Sequence, residues 1–206
     1  MQDPPAGLSG QPPDDAALIE RSWCDPEAFA GLYDRHAAAL HRYVARRLGE
    51  GAADDIVADT FLDAFRRRHR YDLSVDDARP WLYGIAANLI GKHGRAEVRM
   101  LRAYARTGAD PVLAGAFTAS QADEADSRVS SAAVRRELAA ALAKLPAGDR
   151  DVLLMVAWAD LSYAEVAASL RIPVGTVRSR LHRARTRIRA ALGGYDPTSV
   201  REESVQ

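Results

Sequence analysis

Arg171, Arg178, Arg180, Arg183, Arg185, Arg187 and Arg189 follow one another with no acidic residue between Glu165 and Asp196. Guanidinium groups on a helix bind phosphates, and in the first turns of a helix laid in the DNA major groove they read guanine edges bidentately. Val177, Leu181, Ala184 and Ile188, spaced by four, three and four, form the stripe that such a helix would bury. Thr176, Arg178, Ser179, His182 and Arg183 lie off that stripe and are the candidate base-reading residues. A shorter helix precedes it. Ser162 and Glu165 form a capping box ahead of the apolar residues Val166, Ala167 and Leu170. Arg171-Ile172-Pro173 breaks the pattern, because proline suits the first turn of a helix and not its interior. The pair reads as a helix-turn-helix. The plainer alternative is a solvated basic helix, or one that lies on a membrane or in a calmodulin-like groove.

Two further groups of residues carry chemistry. Asp55, Asp59 and Asp63 are spaced by four on one predicted helix, whose core stripe is Ile56, Val57, Thr60, Phe61, Ala64 and Phe65. Like charges at this spacing cost roughly 0.2–0.5 kcal/mol per pair in an isolated helix. The row is either a solvated acidic face or a docking face for a basic partner. Downstream, Pro80 opens a helix with the stripe Leu82, Ile85, Ala86 and Leu89. Trp81, Tyr83, Asn88, Lys92 and Arg95 give it aromatic rings, an amide and cations, the set that single-stranded nucleic acid needs for stacking, base-edge hydrogen bonds and phosphate contacts. Trp81 alone reads better as a core tryptophan.

The elements that must hold these groups are helical throughout, with no run of strand alternation. Residues 1–20 are rich in Pro, Gly, Asp and Gln and read as a disordered acidic tail. Structure is expected from Asp25-Pro26-Glu27, a helix start whose helix is closed by Gly49 and Gly51. A helix from about Asp54 to Arg68 follows, then the polar loop Tyr71 to Arg79. Residues 103–130 lose periodicity and read as a flexible acidic linker. Helices return with Val134, Leu138, Leu142 and Leu145, and Pro146 opens the next. The reading is therefore all-α: two small helical domains over residues 21–102 and 131–193, with a tail over 194–206.

The chain has 206 residues with 28 basic and 28 acidic side chains, so its zero net charge conceals a basic end and an acidic start. A lone cysteine, Cys24, excludes an internal disulfide and a cysteine-rich zinc site. No uncharged apolar run approaches a membrane span and no signal peptide is visible, so a cytoplasmic protein without membrane insertion is expected. His36 and His41 are five apart, which is not a same-face ligand pair, and the three aspartates have no histidine at helical spacing. No nucleophile–base set and no phosphate-cradling glycine loop appears. No catalytic residues, no metal site, no cofactor and no enzymatic activity are therefore expected.

The chain resembles the extracytoplasmic-function (ECF) sigma factors of the sigma-70 family. Region 2 of that family matches FAGLYDRHAAALHRYVARRLG, ADDIVADTFLDAFRR and RPWLYGIAANL, and region 4 matches LPAGDRDVLLMVAWADLSYAEVAASLRIPVGTVRSRLHRARTRIRAAL. The family usually has glutamine where Ala58 stands and arginine where Ala87 stands. The resemblance implies that Asp55, Asp59 and Asp63 dock on the clamp helices of the beta-prime subunit of core RNA polymerase. It implies that Tyr83, Asn88, Lys92 and Arg95, with the Tyr71–Arg79 loop, hold the melted −10 strand, and that the linker threads towards the polymerase active-site channel. It further implies that region 4 sits on the beta flap and reads duplex −35 DNA, and that an anti-sigma factor restrains the whole. The rival reading is a helix-turn-helix regulator that acts without polymerase binding.

Overall fold

The computed structural model describes residues 14–107 and 125–193, and all regular structure among them is helical. The helices are α1 (Asp15–Arg21), α2 (Ala30–Leu48), α3 (Glu50–Arg67), α4 (Arg79–Lys92), α5 (Gly94–Thr107), α6 (Ala125–Lys144), α7 (Ala147–Trp158), α8 (Tyr163–Leu170) and α9 (Val174–Ala191). Short 3-10 turns at Pro26–Phe29 and Arg68–Arg70 precede α2 and follow α3.

Helices α2 and α3 pack as a pair, with Leu32, Leu40, Tyr43 and Val44 in one cluster with Ile56, Val57, Phe61 and Ala64. The chain turns between them on Gly49 alone, at φ 87°, a conformation that side-chain-bearing residues avoid. Helix α3 starts at once with Glu50, so Gly51, expected to help end the previous helix, lies inside the next one. Helix α4 closes this half over α3 and α2.

The expected tail over 1–20 is corrected at its end: residues 15–21 form α1, capped by Asp14, with Ile19 fully buried. The physical reason is Asp15. Its carboxylate accepts hydrogen bonds from Arg35 (2.9 Å), His36 (2.7 Å) and the Ala78 backbone N–H (2.9 Å), so an acid that composition assigned to solvent is an anchor for α2 and for the loop entering α4. Burial alone would push this carboxyl up, but the hydrogen bonds from His36 and Ala78, with the His36 charge and Arg35, bring it down to about 2. An unfolded aspartate titrates near 3.9, so the folded pKa is depressed. The stabilisation is complete above about pH 4 and is lost as pH falls towards about 2. Asp15→Asn should cost about 2 kcal/mol near neutral pH and little near pH 2, as read from urea midpoints at the two pH values. An equal loss at both would show that the carboxylate charge is not what matters.

The second half is built from α6 to α9. Val152, Leu153, Met155, Val166, Val177, Leu181, Ala184 and Ile188 are buried together, so the stripe expected on the last helix faces the core. Residues 103–107 continue α5 and residues 125–130 begin α6, so the linker expected over 103–130 narrows from both ends. Residues 1–13, 108–124 and 194–206, which carry the rest of the expected tails and linker, lie outside the described residues.

The halves are not separate bodies joined only by a linker. Leu101 of α5 packs with Leu138 and Leu142 of α6, and α4 packs on α8. Arg46 stacks its guanidinium over Trp158, 5.8 Å from the ring centroid. Among the described residues, no helix is long and apolar enough to cross a membrane, and no group of three or more His, Cys, Asp or Glu could hold a metal ion.

Candidate nucleic-acid interface

The helix-turn-helix forms as its residues dictate. Ser162 Oγ accepts from the Glu165 N–H (3.2 Å) and Glu165 returns a carboxylate oxygen to the Ser162 N–H (2.7 Å), which completes the capping box. Helix α8 ends with Arg171 at φ 52°. The Ile172 N–H reaches the Ala167 carbonyl (3.0 Å) and the Arg171 N–H reaches that of Ala168 (3.3 Å). This is a Schellman closure with arginine where glycine is usual, and Pro173 then starts α9. Burying Val177, Leu181, Ala184 and Ile188 turns Arg178, Ser179, His182 and Arg183 to the exposed side, while Thr176 is half-buried. Ser179 spends its hydroxyl on the Thr176 carbonyl (3.0 Å). Arg183 is held by the buried Asp149 of α7 through two hydrogen bonds (2.9 and 3.3 Å), and Arg187 lies 3.8 Å from the same carboxylate. Asp149 therefore holds Arg183 against the neighbouring helix, while Arg178 in the first turns is exposed.

On α4 the predicted residues divide. Asn88, Lys92 and Arg95 are exposed, the last at the start of α5. Tyr83 is corrected: it is 4% exposed and packs edge-on against Tyr43, with ring centroids 5.0 Å apart. Burial, reinforced by the neighbouring Tyr43, pushes its phenol up to about 12. It is a core tyrosine here, not a stacking platform. Trp81 is half-buried and leans on Tyr71, whose hydroxyl donates to the Val75 carbonyl (2.6 Å) and pins the loop before α4.

On α3, Asp55 and Asp59 are exposed, and Leu62 beside them is 45% exposed. Asp63 is half-buried and paired with Arg67 (2.8 Å). An outward acidic row, an exposed amide-and-cation group on α4 and an outward basic helix thus occur on three elements of one chain.

The model of sigma-70 region 2 matches residues 32–107, and that of sigma-70 region 4 matches residues 135–188. The chain is 34% identical over 188 residues to the ECF RNA polymerase sigma factor SigL of Mycobacterium tuberculosis, covering 91% of this chain and 96% of that one. The chain belongs to the sigma-70 family. Its relatives place it in the ECF group. CarQ of Myxococcus xanthus, an RNA polymerase sigma factor, is 32% identical over 81% of this chain and 90% of its own. The solved structure of CnrH in complex with the cytosolic domain of CnrY has a TM-score of 0.56 and 25% identity, covering 87% of this chain and 97% of that one. As an ECF factor the protein binds core RNA polymerase and directs promoter-specific initiation, and its two family regions are the all-α halves described above.

Several residues that shape this sigma factor were not singled out from sequence. Arg47, Glu97, Arg150 and Asp151 form a cluster across the halves. Arg47 Nε donates to Glu97 Oε1 (2.7 Å) and its Nη2 to Asp151 Oδ1 (2.6 Å), while Arg150 Nη2 donates to Glu97 Oε2 (3.0 Å). Arg150 also donates to the carbonyls of Leu142 and Leu145 at the end of α6. None of the four stands out in the sequence: Glu97 shares α5 with Arg95, Arg99, Arg102 and Arg106, Arg47 follows Arg46, and no spacing names a partner.

Proposed function

We propose that this ECF factor docks through α3 on the clamp helices of the polymerase beta-prime subunit, with Asp55 and Asp59 as the leading contacts and Asp63 held behind them by Arg67. Helix α4 and the start of α5 then hold the melted −10 strand through Asn88, Lys92 and Arg95. Region 4 sits on the beta flap and reads duplex −35 DNA through Thr176, Arg178, Ser179, His182 and Arg183. The factor works in the cytoplasm, has no catalytic activity of its own and answers to an anti-sigma factor, a reading supported by the CnrH–CnrY complex among its structural neighbours. The functional domains run over about 21–102 and 131–193, close to the matched regions. The observation that carries the proposal is the outward placement of Asp55 and Asp59 on a helix whose opposite face is core, since exposed like charges at this spacing weaken the helix and do not hold the fold together.

The test is run-off transcription and core-polymerase binding with Asp59→Lys. Core affinity should fall about tenfold or more at moderate salt with circular dichroism unchanged, because reversal replaces an attraction by a repulsion at the same site. Unchanged affinity would remove α3 from the docking surface. A regulator acting without polymerase would bind its DNA equally well with and without core enzyme.

A further inference from the structure

Residues 66–70 read Arg-Arg-Arg-His-Arg, a basic run at the end of α3 with no acid in it. Arg66, Arg67, His69 and Arg70 are exposed. Arg67 is taken up by Asp63 (2.8 Å), whereas Arg66 and Arg70 make no hydrogen bond or ion pair among the described residues. Arg68 faces the other way. Its Nε donates to the Ser22 carbonyl (3.2 Å) and its Nη1 to the Phe65 carbonyl (2.8 Å), and its guanidinium lies 3.9 Å from the Phe65 ring centroid. Ser22 is itself buried, with its hydroxyl donating to the Ile19 carbonyl (2.6 Å). Arg68 therefore ties the end of α1 to the end of α3.

The tie sets Trp23 against His69. Their ring centroids are 5.4 Å apart and their planes are tilted by 32°. Trp81 and Trp158 are half-buried, but Trp23 is 38% exposed. A single exposed apolar residue is ordinary on a protein surface. An exposed indole stacked on an imidazole, next to two arginines with no acid to hold them, is a more specific combination. The acid of the turn after α1, Asp25, lies 3.8 Å from Arg21 and so is partly offset.

We propose that Trp23 and His69, flanked by Arg66 and Arg70, form a second single-strand site that continues the −10 site: the aromatic pair stacks a base of the displaced DNA strand, and the two arginines hold its phosphates. Aromatic faces beside cations are what a single strand requires, and every base has a face to offer, so such a site tolerates any sequence. Duplex DNA does not fit it, because paired bases are stacked on one another. Continuity with the loop points to this occupant. Tyr71, the first residue of that loop, follows His69 by two positions, so their Cα atoms are at most about 7 Å apart. Tyr71 in turn packs against Trp81 of α4, with ring centroids 4.9 Å apart. A strand seated on the loop and α4 thus has the Trp23–His69 pair beside it. The proposal rests on the reading that α4 holds the melted −10 strand, and it extends the grip beyond the element itself.

The probe is the −10 strand of a promoter that the factor transcribes in run-off assays. It is made as two fluorescein-labelled single-stranded DNAs, the element alone and the element with about six further nucleotides at each end. Binding is measured to holoenzyme assembled from the full-length chain. In the parent the longer strand should bind about tenfold tighter than the short one, the usual return from a stacked base. Trp23→Ala should remove that gain and leave the short strand unaffected, with circular dichroism and core binding unchanged. Trp23→Phe keeps a ring face and should restore most of the gain. Arg70→Ala should weaken the longer strand and reduce its salt slope by about 0.7. No gain from the longer strand in the parent, or a gain that Trp23→Ala keeps, overturns the proposal. A short strand that fails to bind the parent refutes the α4 reading instead, and the pair then stands or falls on whether capture of the longer strand depends on Trp23.

Discussion

Glu97→Ala should lower the unfolding free energy of the chain by about 3–5 kcal/mol, the largest stability loss expected from any single substitution outside the apolar core. The reason is arithmetic of charge, not the number of hydrogen bonds. Glu97 is the one acid that serves both Arg47 and Arg150, and all three side chains are almost wholly buried. Without it Arg47 retains Asp151 and Tyr43, and Arg150 retains only the carbonyls of Leu142 and Leu145. A guanidinium cannot escape by losing its proton, so the uncompensated charge must be solvated by moving structure. Glu97→Gln keeps the shape and two acceptor lone pairs but not the charge, and should recover part of the loss. Asp151→Asn, at a side chain 23% exposed, should cost far less, about 1 kcal/mol. Urea denaturation of the three variants at constant m-value gives the ordering. If Glu97→Ala and Asp151→Asn cost the same, the cluster is no more than a surface ion pair in effect.

That cluster also marks where sequence reading stopped. Local signals were legible because both partners sit within one helical turn. Ser162 and Glu165 are three apart, and their capping box forms with both hydrogen bonds. Val177, Leu181, Ala184 and Ile188 repeat at helical spacing and are buried. Asp15 and Arg35 are 20 residues apart, Arg47 and Glu97 50, Arg47 and Asp151 104, and no periodicity connects residues so distant. The tail was read from the composition of 1–20, and the buried Ile19 and the triply bonded Asp15 at its end were lost in that average. Tyr83 was read as a stacking ring because tyrosine at the start of a basic helix suits nucleic acid. What buried it was the long-range partner Tyr43, together with the packing of α4 on two sides. Gly84 carried no signal at all, since a close backbone approach leaves no trace except the absence of a side chain.

On the DNA side, Arg178→Ala should flatten the preference of this sigma factor at one or two −35 positions, whereas Arg187→Ala should leave preference intact. The difference follows from how α9 is held. Its buried stripe fixes the rotation of the helix, and Arg178, one turn from Pro173, is exposed where a recognition helix meets base edges. Arg187 lies more than two turns further along, and Asp149 draws its guanidinium towards α7 at 3.8 Å. Loss of a bidentate base contact costs roughly 1–3 kcal/mol and acts on one base pair; loss of a phosphate contact weakens every sequence alike and reduces the salt slope by about one. Arg183 falls between the two. Its two hydrogen bonds to Asp149 hold its guanidinium against α7, so Asp149→Asn should change what Arg183 contributes without touching DNA itself. Transcription across a library of −35 variants, repeated at two salt concentrations, separates these cases. An Arg178→Ala protein that loses activity equally on every variant, with a shallower salt slope, would make Arg178 a backbone grip and move base reading on to Ser179, His182 and Arg183.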